Sequence, residues 1–182
     1  MKNSIIILLS VFVLVLSCKK DVQTQTEISN KPQIEVSNLK KESKNIQALT
    51  KDQLMTFFPE YIGSNKRFNI FIIPRESMGT ASYGSFDSSY NYSINDCVKD
   101  DSVIKNFEVS YNASYNAPEG TEYVIKERDG FKTIAFLQPK INRYDIQFVY
   151  KNRFKLVLEG PEHPDVLWSY IKQEDLEKLD NY

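Results

Sequence analysis

Apolar positions fall into three regimes along the chain. From Ile5 to Leu16 they are continuous, broken only by Ser10. From Lys19 to Leu49 they stand singly (Val22, Ile28, Ile34 and Val36 among them) in a background of Lys, Gln, Ser, Thr, Asn and Glu, and follow no period. From Thr50 onward they recur with the periods of regular secondary structure. The first regime predicts a buried or inserted segment. The second cannot bury enough apolar surface to offset chain entropy and predicts a flexible tether, with a weakly helical stretch near residues 37–48. The third predicts one folded domain, residues 50–182, of a size that buries about two-thirds of its unfolded surface.

Within that domain the periods alternate between helix and strand. Thr50 and Gln53 have capping-box spacing, and Leu54, Met55, Phe57 and Phe58 give a helical apolar face that Pro59 ends. Arg67 to Ile73 reads as a strand stopped by Pro74, and Thr80 to Tyr83 as a second. From Ser88 to Cys97, Tyr90, Tyr92 and Ile94 alternate with Asn91, Ser93 and Asn95, the period of a half-buried strand. Asp101 is placed to cap a helix carrying Val103, Ile104 and Phe107. Thr121–Glu127 and Phe131–Leu137 flank Asp129-Gly130, a strong hairpin signal because both turn residues need positive φ. Asn142–Tyr150 and Arg153–Glu159 form another pair around Lys151-Asn152, with Ile146, Phe148 and Tyr150 facing Phe154, Leu156 and Leu158.

Gly160 and Pro161 end the sheet, and Pro164 suits the first turn of a final helix whose apolar face is Val166, Leu167, Tyr170 and Ile171. Trp168 adjoins that face and is expected to be buried against the strand of Phe154, Leu156 and Leu158. Leu176 and Leu179 are expected to pack after it. The fold class is therefore α+β: an antiparallel sheet of about six or seven strands, with helices at the start, middle and end, on one face of the sheet. No internal repeat is visible.

The first regime takes on a specific meaning from its flanks. Lys2 precedes it, Ser17 is small, and Cys18 follows, the order of a secretory signal peptide. As a helix the apolar run reaches only about 18 Å, short of a bilayer core about 30 Å thick. Val15-Leu16-Ser17-Cys18 resembles the bacterial lipobox, although the commonest pattern has Leu where Val15 stands and a small residue where Leu16 stands. The resemblance implies residues 1–17 as a lipoprotein signal peptide, Cys18 as the lipidated first residue of the mature chain, and 18–49 as lipidated cysteine plus tether. It implies a cell-envelope protein held in the membrane through palmitate and related acyl chains on Cys18, durable because several chains act together. Lys19, where an inner-membrane-retained lipoprotein would carry Asp, points to the outer membrane.

Charge narrows the partners. Lys2 is the only charged residue before Cys18, so the rest carries 22 Lys+Arg against 24 Asp+Glu, a net charge of −2. No basic footprint for nucleic acid results. With Cys18 consumed by lipid, Cys97 is left without a partner for a disulfide.

Several short segments together resemble an uncharacterised family of small exported lipoproteins of Gram-negative bacteria. They are Leu49-Thr50-Lys51-Asp52-Gln53-Leu54 with Phe57-Phe58-Pro59-Glu60, Met78-Gly79 with Ala81-Ser82-Tyr83-Gly84, and Ser93-Ile94-Asn95-Asp96. Asn152-Arg153-Phe154, Leu167-Trp168 and Asp175-Leu176-Glu177-Lys178-Leu179 complete the set. The family usually has a Gly-rich stretch after the position of Asp96, where this chain has Cys97-Val98-Lys99-Asp100. The resemblance implies a single α+β domain similar to PsbP-like α/β/α sandwiches and no assigned activity.

Candidate chemistry is sparse. His163, the single histidine, could serve a Ser or Cys nucleophile, but its place between Glu162 and Pro164 favours a surface turn. Cys97 would need a lowered pKa to act as a nucleophile or redox thiol, and Asp96, Asp100 and Asp101 push the other way. Asp87, Asp96, Asp100 and Asp101 supply oxygen ligands for calcium without the spacing of a calcium loop. Tyr83, Tyr90, Tyr92, Tyr111, Tyr115 and Tyr123 form either an aromatic platform for a glycan or protein or, at strand spacing, core residues with their hydroxyls at the rim. No cofactor motif is present. The expectation is a lipid-anchored, non-enzymatic binding or structural module for a protein, glycan or small ligand. The alternative is a hydrolase or redox enzyme using Cys97 or His163.

Overall fold

The computed structural model describes residues 46–113 and 116–182. The segment read as a signal peptide, Cys18, most of the segment read as a tether, and Tyr115 lie outside the described residues. Of the stretch read as weakly helical, residues 46–48 carry no helix and the remainder lies outside the described residues.

Helix α1, Lys51–Phe57, starts where the spacing placed it. Thr50 Oγ1 accepts from Gln53 N (3.3 Å), and Gln53 Oε1 accepts from Thr50 N (2.7 Å). Such a cap contributes about 1 kcal/mol. Strands β1 (Tyr61–Ile62), β2 (Asn65–Ile73), β3 (Met78–Ser85) and β4 (Ser88–Asp96) follow, then helix α2 (Ser102–Asn112). Strands β5 (Glu122–Arg128), β6 (Phe131–Gln138), β7 (Arg143–Tyr150) and β8 (Phe154–Gly160) lead to α3 (Pro164–Ser169) and α4 (Gln173–Glu177). The fold is α+β, with one antiparallel sheet in the order β1-β2-β3-β4-β8-β7-β6-β5. Among the described residues the strands number eight, not six or seven. The extra one is β1, a two-residue strand too short to carry a period, paired through Tyr61–Lys66 and Ile62–Asn65.

Both tight turns read from sequence are present. Asp129 and Gly130 have φ of 48° and 82°, Lys151 and Asn152 of 50° and 51°, the all-positive pattern that matches strand twist. Ile146 pairs with Leu158, Phe148 with Leu156 and Tyr150 with Phe154, as the alternation required.

The sheet order conceals a symmetry. Each half of the chain runs strand, two-residue turn, strand, a 3₁₀ turn, strand, turn, strand. The 3₁₀ turns are Pro74–Glu76 followed by Ser77, and Pro139–Ile141 followed by Asn142, both ending in a left-handed residue (φ 51° and 50°). Aligning these turns places Tyr83 on Phe148. Their cross-strand partners then place Tyr90 on Leu156 and Tyr92 on Leu158. Tyr92 and Leu158 are themselves partners across β4 and β8, as an approximate two-fold axis through that pair requires. The two meanders meet along β4 and β8, the middle of the sheet.

One face of the sheet carries the main core. Tyr83, Ile94, Ile146, Phe148, Leu156 and Leu158 are buried there with Leu54, Phe57, Leu167, Leu176 and Leu179 of the overlying helices. The helices do not all share that face. Helix α2 covers part of the opposite one, with Ile104 and Phe107 over Ile134 and a Lys132–Glu108 ion pair of 2.6 Å. The physical reason is the alternation of β6. Thr133 and Ala135 turn toward the main core, so Ile134 turns away and needs its own cover.

Two side chains depart from expectation on α3. Val166 is 40% exposed. Trp168 is half-buried and lies on β6 and β7 rather than on the strand of Leu156. Its ring is 5.2 Å from Phe148 and 6.0 Å from Phe131, and Nε1 donates to Asp129 Oδ2 at 2.8 Å.

Candidate functional site

The most connected polar residue of the domain is Asp96, at the end of β4. Its side chain is fully buried and holds Arg153 in a bidentate pair, Nε to Oδ1 and Nη2 to Oδ2, both 2.8 Å. Asp96 Oδ2 also accepts from Leu49 N (2.8 Å) and Oδ1 from Val98 N (3.2 Å). Arg153 Nη2 donates in turn to Gln47 O (2.9 Å), and its guanidinium lies 4.6 Å from the Phe154 ring. Leu49, placed in the tether by composition, is 4% exposed and part of the core. Three of the segments singled out in the sequence thus meet at one ion pair, whose work is architectural.

Beside it opens a cleft of about 340 Å³, lined by Arg75, Glu76, Ser77, Asn95, Lys99 and Val103, together with Asp96 and Asp100. The sequence builds it locally. Pro74 cannot donate to the ladder and turns β2 into the 3₁₀ turn. Ser77 follows in the left-handed region (φ 51°, ψ 39°), which a non-glycine residue occupies at some cost, so its neighbours must hold it there. They do: Ser77 N donates to Pro74 O (3.2 Å), and its O accepts from Asp96 N (3.0 Å). Ser77 is 2% exposed, and its hydroxyl has no hydrogen-bond partner. Arg75, Glu76 and Lys99 are exposed and make no ion pair among the described residues. The Ser102 amide and hydroxyl hold the Asp100 carboxyl below its usual range. That bond also corrects the reading of Asp101: it occupies the cap position of α2 without a side-chain cap bond, and Asp100 Oδ1 takes Ser102 N at 2.9 Å.

The sequence candidates disperse. Cys97 is buried, and burial pushes its thiol pKa up, with Asp96 and Asp100 adding to the shift. Its N donates to Arg153 O, at the turn end of β8. His163 lies beyond the other end of β8, exposed, with Nδ1 accepting from Asp165 N (3.3 Å) as the cap of α3. A strand of β8's length separates the two by about 20 Å. Asp87 sits in the β3–β4 turn, at the opposite end of β4 from Asp96, Asp100 and Asp101. Among the described residues no group of three His, Cys, Asp or Glu side chains is placed to hold a metal. Tyr83, Tyr90 and Tyr92 are core residues. Tyr111 lies along Phe107 and under Lys132, and Tyr123 stacks on Phe136 at 4.6 Å.

The sheet face opposite the main core holds a second polar group that period-two reading could not assemble. Asn69, Ser82, Asn91, Glu159 and Asp145 align across neighbouring strands. Burial, then the Glu159 charge, pushes Asp145 up to about 6, against smaller opposing effects of Lys155 and the Phe136 amide. Asp145 Oδ1 is buried without a hydrogen-bond partner. Glu159 is held by an ion pair with Arg143.

Arg75, Ser77, Lys99 and Arg153 were not singled out by sequence reasoning as site residues. The signals that pointed there were Asp96 and Asp100, weighed as metal ligands, and Pro74, which marked the end of a strand. Comparison with known proteins adds no match: no family model, no curated protein and no solved structure matches this chain.

Proposed function

We propose that this protein is a lipid-anchored cell-envelope lipoprotein, attached through Cys18 and directed to the outer membrane, whose domain binds a small polar ligand rather than transforming it. The observation that carries the binding reading is the cleft beside Asp96. Among the described residues its Arg75, Glu76 and Lys99 have no ion-pair partner, and the buried Ser77 hydroxyl has no hydrogen-bond partner. The separation of Cys97 from His163, and the raised thiol pKa of Cys97, weigh against the hydrolase or redox alternative. Anchoring rests on the sequence around Cys18. Its test is metabolic labelling with a fatty acid. The parent chain incorporates label and fractionates with the outer membrane; Cys18→Ser incorporates none. Label retained by the variant, or fractionation with the inner membrane, overturns the corresponding half of the proposal.

A further inference from the structure

We infer that the cleft beside Asp96 recognises a small zwitterion bearing one carboxylate and one ammonium group, the chemistry of a free amino acid or a short unblocked peptide. The inference rests on the binding reading above and names its ligand class. Charge decides between classes. Asp96 is neutralised by Arg153 inside the fold and contributes no free charge. What remains at the rim is Arg75 and Lys99 against Glu76 and Asp100, two of each sign. A simple anion such as phosphate meets two carboxylates, and a simple cation meets two basic groups; either is penalised by like charge. A zwitterion satisfies both signs.

The other lining groups fit the same ligand. Arginine presents the planar fork that matches a carboxylate, so Arg75 takes that end, with Lys99 beside it. Glu76, which makes no ion pair among the described residues, takes the ammonium. Ser77 and Asn95 line the same cleft, beside the polar middle of such a ligand, a peptide group or α-substituent. The hydroxyl is the sharper indication, because a buried polar atom left without a partner costs about 1–3 kcal/mol. Val103, on the first turn of α2, offers a small apolar wall to one side chain. A volume of about 340 Å³ lies at the small end of ligand pockets and excludes longer oligomers from full enclosure.

The test is isothermal titration calorimetry on the full, detergent-solubilised chain, with alanylalanine as probe. Its N-acetylated form, its C-terminal amide and inorganic phosphate serve as controls. Alanylalanine binds; blocking either end weakens binding about tenfold or more, the scale of a lost charge-assisted hydrogen bond. Arg75→Gln erases the difference between the dipeptide and its amide, and Glu76→Gln erases the difference between the dipeptide and its N-acetyl form. Both side chains are exposed, so both variants melt with the parent. Ser77→Ala weakens every form alike. No heat from alanylalanine at millimolar concentration, equal binding of the blocked forms, or tighter binding of phosphate overturns the inference. These outcomes leave the labelling of Cys18 untouched, so failure here and failure of the anchoring reading are told apart.

Discussion

At the scale of single residues the structure separates charges that support the fold from charges that strain it. Asp96 and Arg153 belong to the first kind. Removing one partner leaves the other buried and unpaired, so Asp96→Asn should lower unfolding free energy by about 3–5 kcal/mol, read from urea denaturation. Arg153→Met in the same chain should recover part of that loss, because the stranded guanidinium is gone. Asp145 belongs to the second kind. Its folded pKa, about 6, lies above the unfolded carboxylate value of about 3.9. The folded state therefore holds this proton more tightly than the unfolded state. That contribution to stability is full below the unfolded pKa and is lost as pH rises through about 6. Asp145→Asn should accordingly stabilise the protein at pH 8, on the order of 2–3 kcal/mol, and leave it nearly unchanged at pH 4. Denaturation curves at both pH values check the sign. Greater stabilisation at pH 4 than at pH 8 would reverse the assignment. Neither role was visible in the sequence, where Asp96 was one of four carboxylates weighed as calcium ligands and Asp145 an unremarked polar position. Burial of a carboxylate depends on what distant segments bring over it, and no local pattern reports that.

At the scale of elements, legibility followed signal strength. The capping box, the Asp129-Gly130 hairpin and the alternation of β4, β7 and β8 all survived, because each is written within ten residues. The placement of α2 was not legible, since which face of a sheet a helix covers is decided by crossings between elements. Trp168 shows the same limit. Its helix was expected, but its neighbours proved to be Phe131 and Phe148. Trp168→Ala should still cost about 3 kcal/mol, the low end for a large aromatic, because part of the ring is already solvated. As the chain's one Trp, it reports on itself. Its emission should be only moderately blue-shifted and should move red on unfolding, and a water-like peak in the folded state would contradict the packing. Gly160 tests the docking of α3 more sharply. A Cβ there would come 2.5 Å from Tyr90 Cδ1 and 3.1 Å from Leu167 Cδ2. Gly160→Ala should therefore destabilise by about 1–3 kcal/mol through overpacking, measured as a lower Tm with an unchanged far-ultraviolet spectrum.

At the scale of the whole molecule, the two-fold arrangement of meanders was hidden because its halves share backbone geometry and hardly any side chains. Pro74-Arg75-Glu76-Ser77 and Pro139-Lys140-Ile141-Asn142 agree in proline, in a basic residue after it and in a small polar residue that accepts positive φ, and differ at the third position. Cores tolerate such divergence when pattern and volume are kept. The arrangement makes β4 and β8 the junction on which both halves depend, while the connection from α2 to β5 crosses between halves. Residues 46–50 and 180–182 line one groove, so the two ends of the described domain lie side by side. A circular permutant joining 182 to 46 through a short Gly-Ser linker and opening between residues 113 and 120 should fold with a single cooperative transition. Two separated transitions would show that the meanders are independent units. The clamp at Asp96 has a mechanical consequence. Tension arriving along the chain from before residue 46 is taken first by Gln47 O and Leu49 N, both tied to the Asp96–Arg153 pair. That pair joins the ends of β4 and β8, so the load enters at the centre of the sheet, where neighbouring strands brace both sides, rather than at an edge that could be peeled one bond at a time. Force applied at residue 46 is thus resisted where the sheet is hardest to unravel.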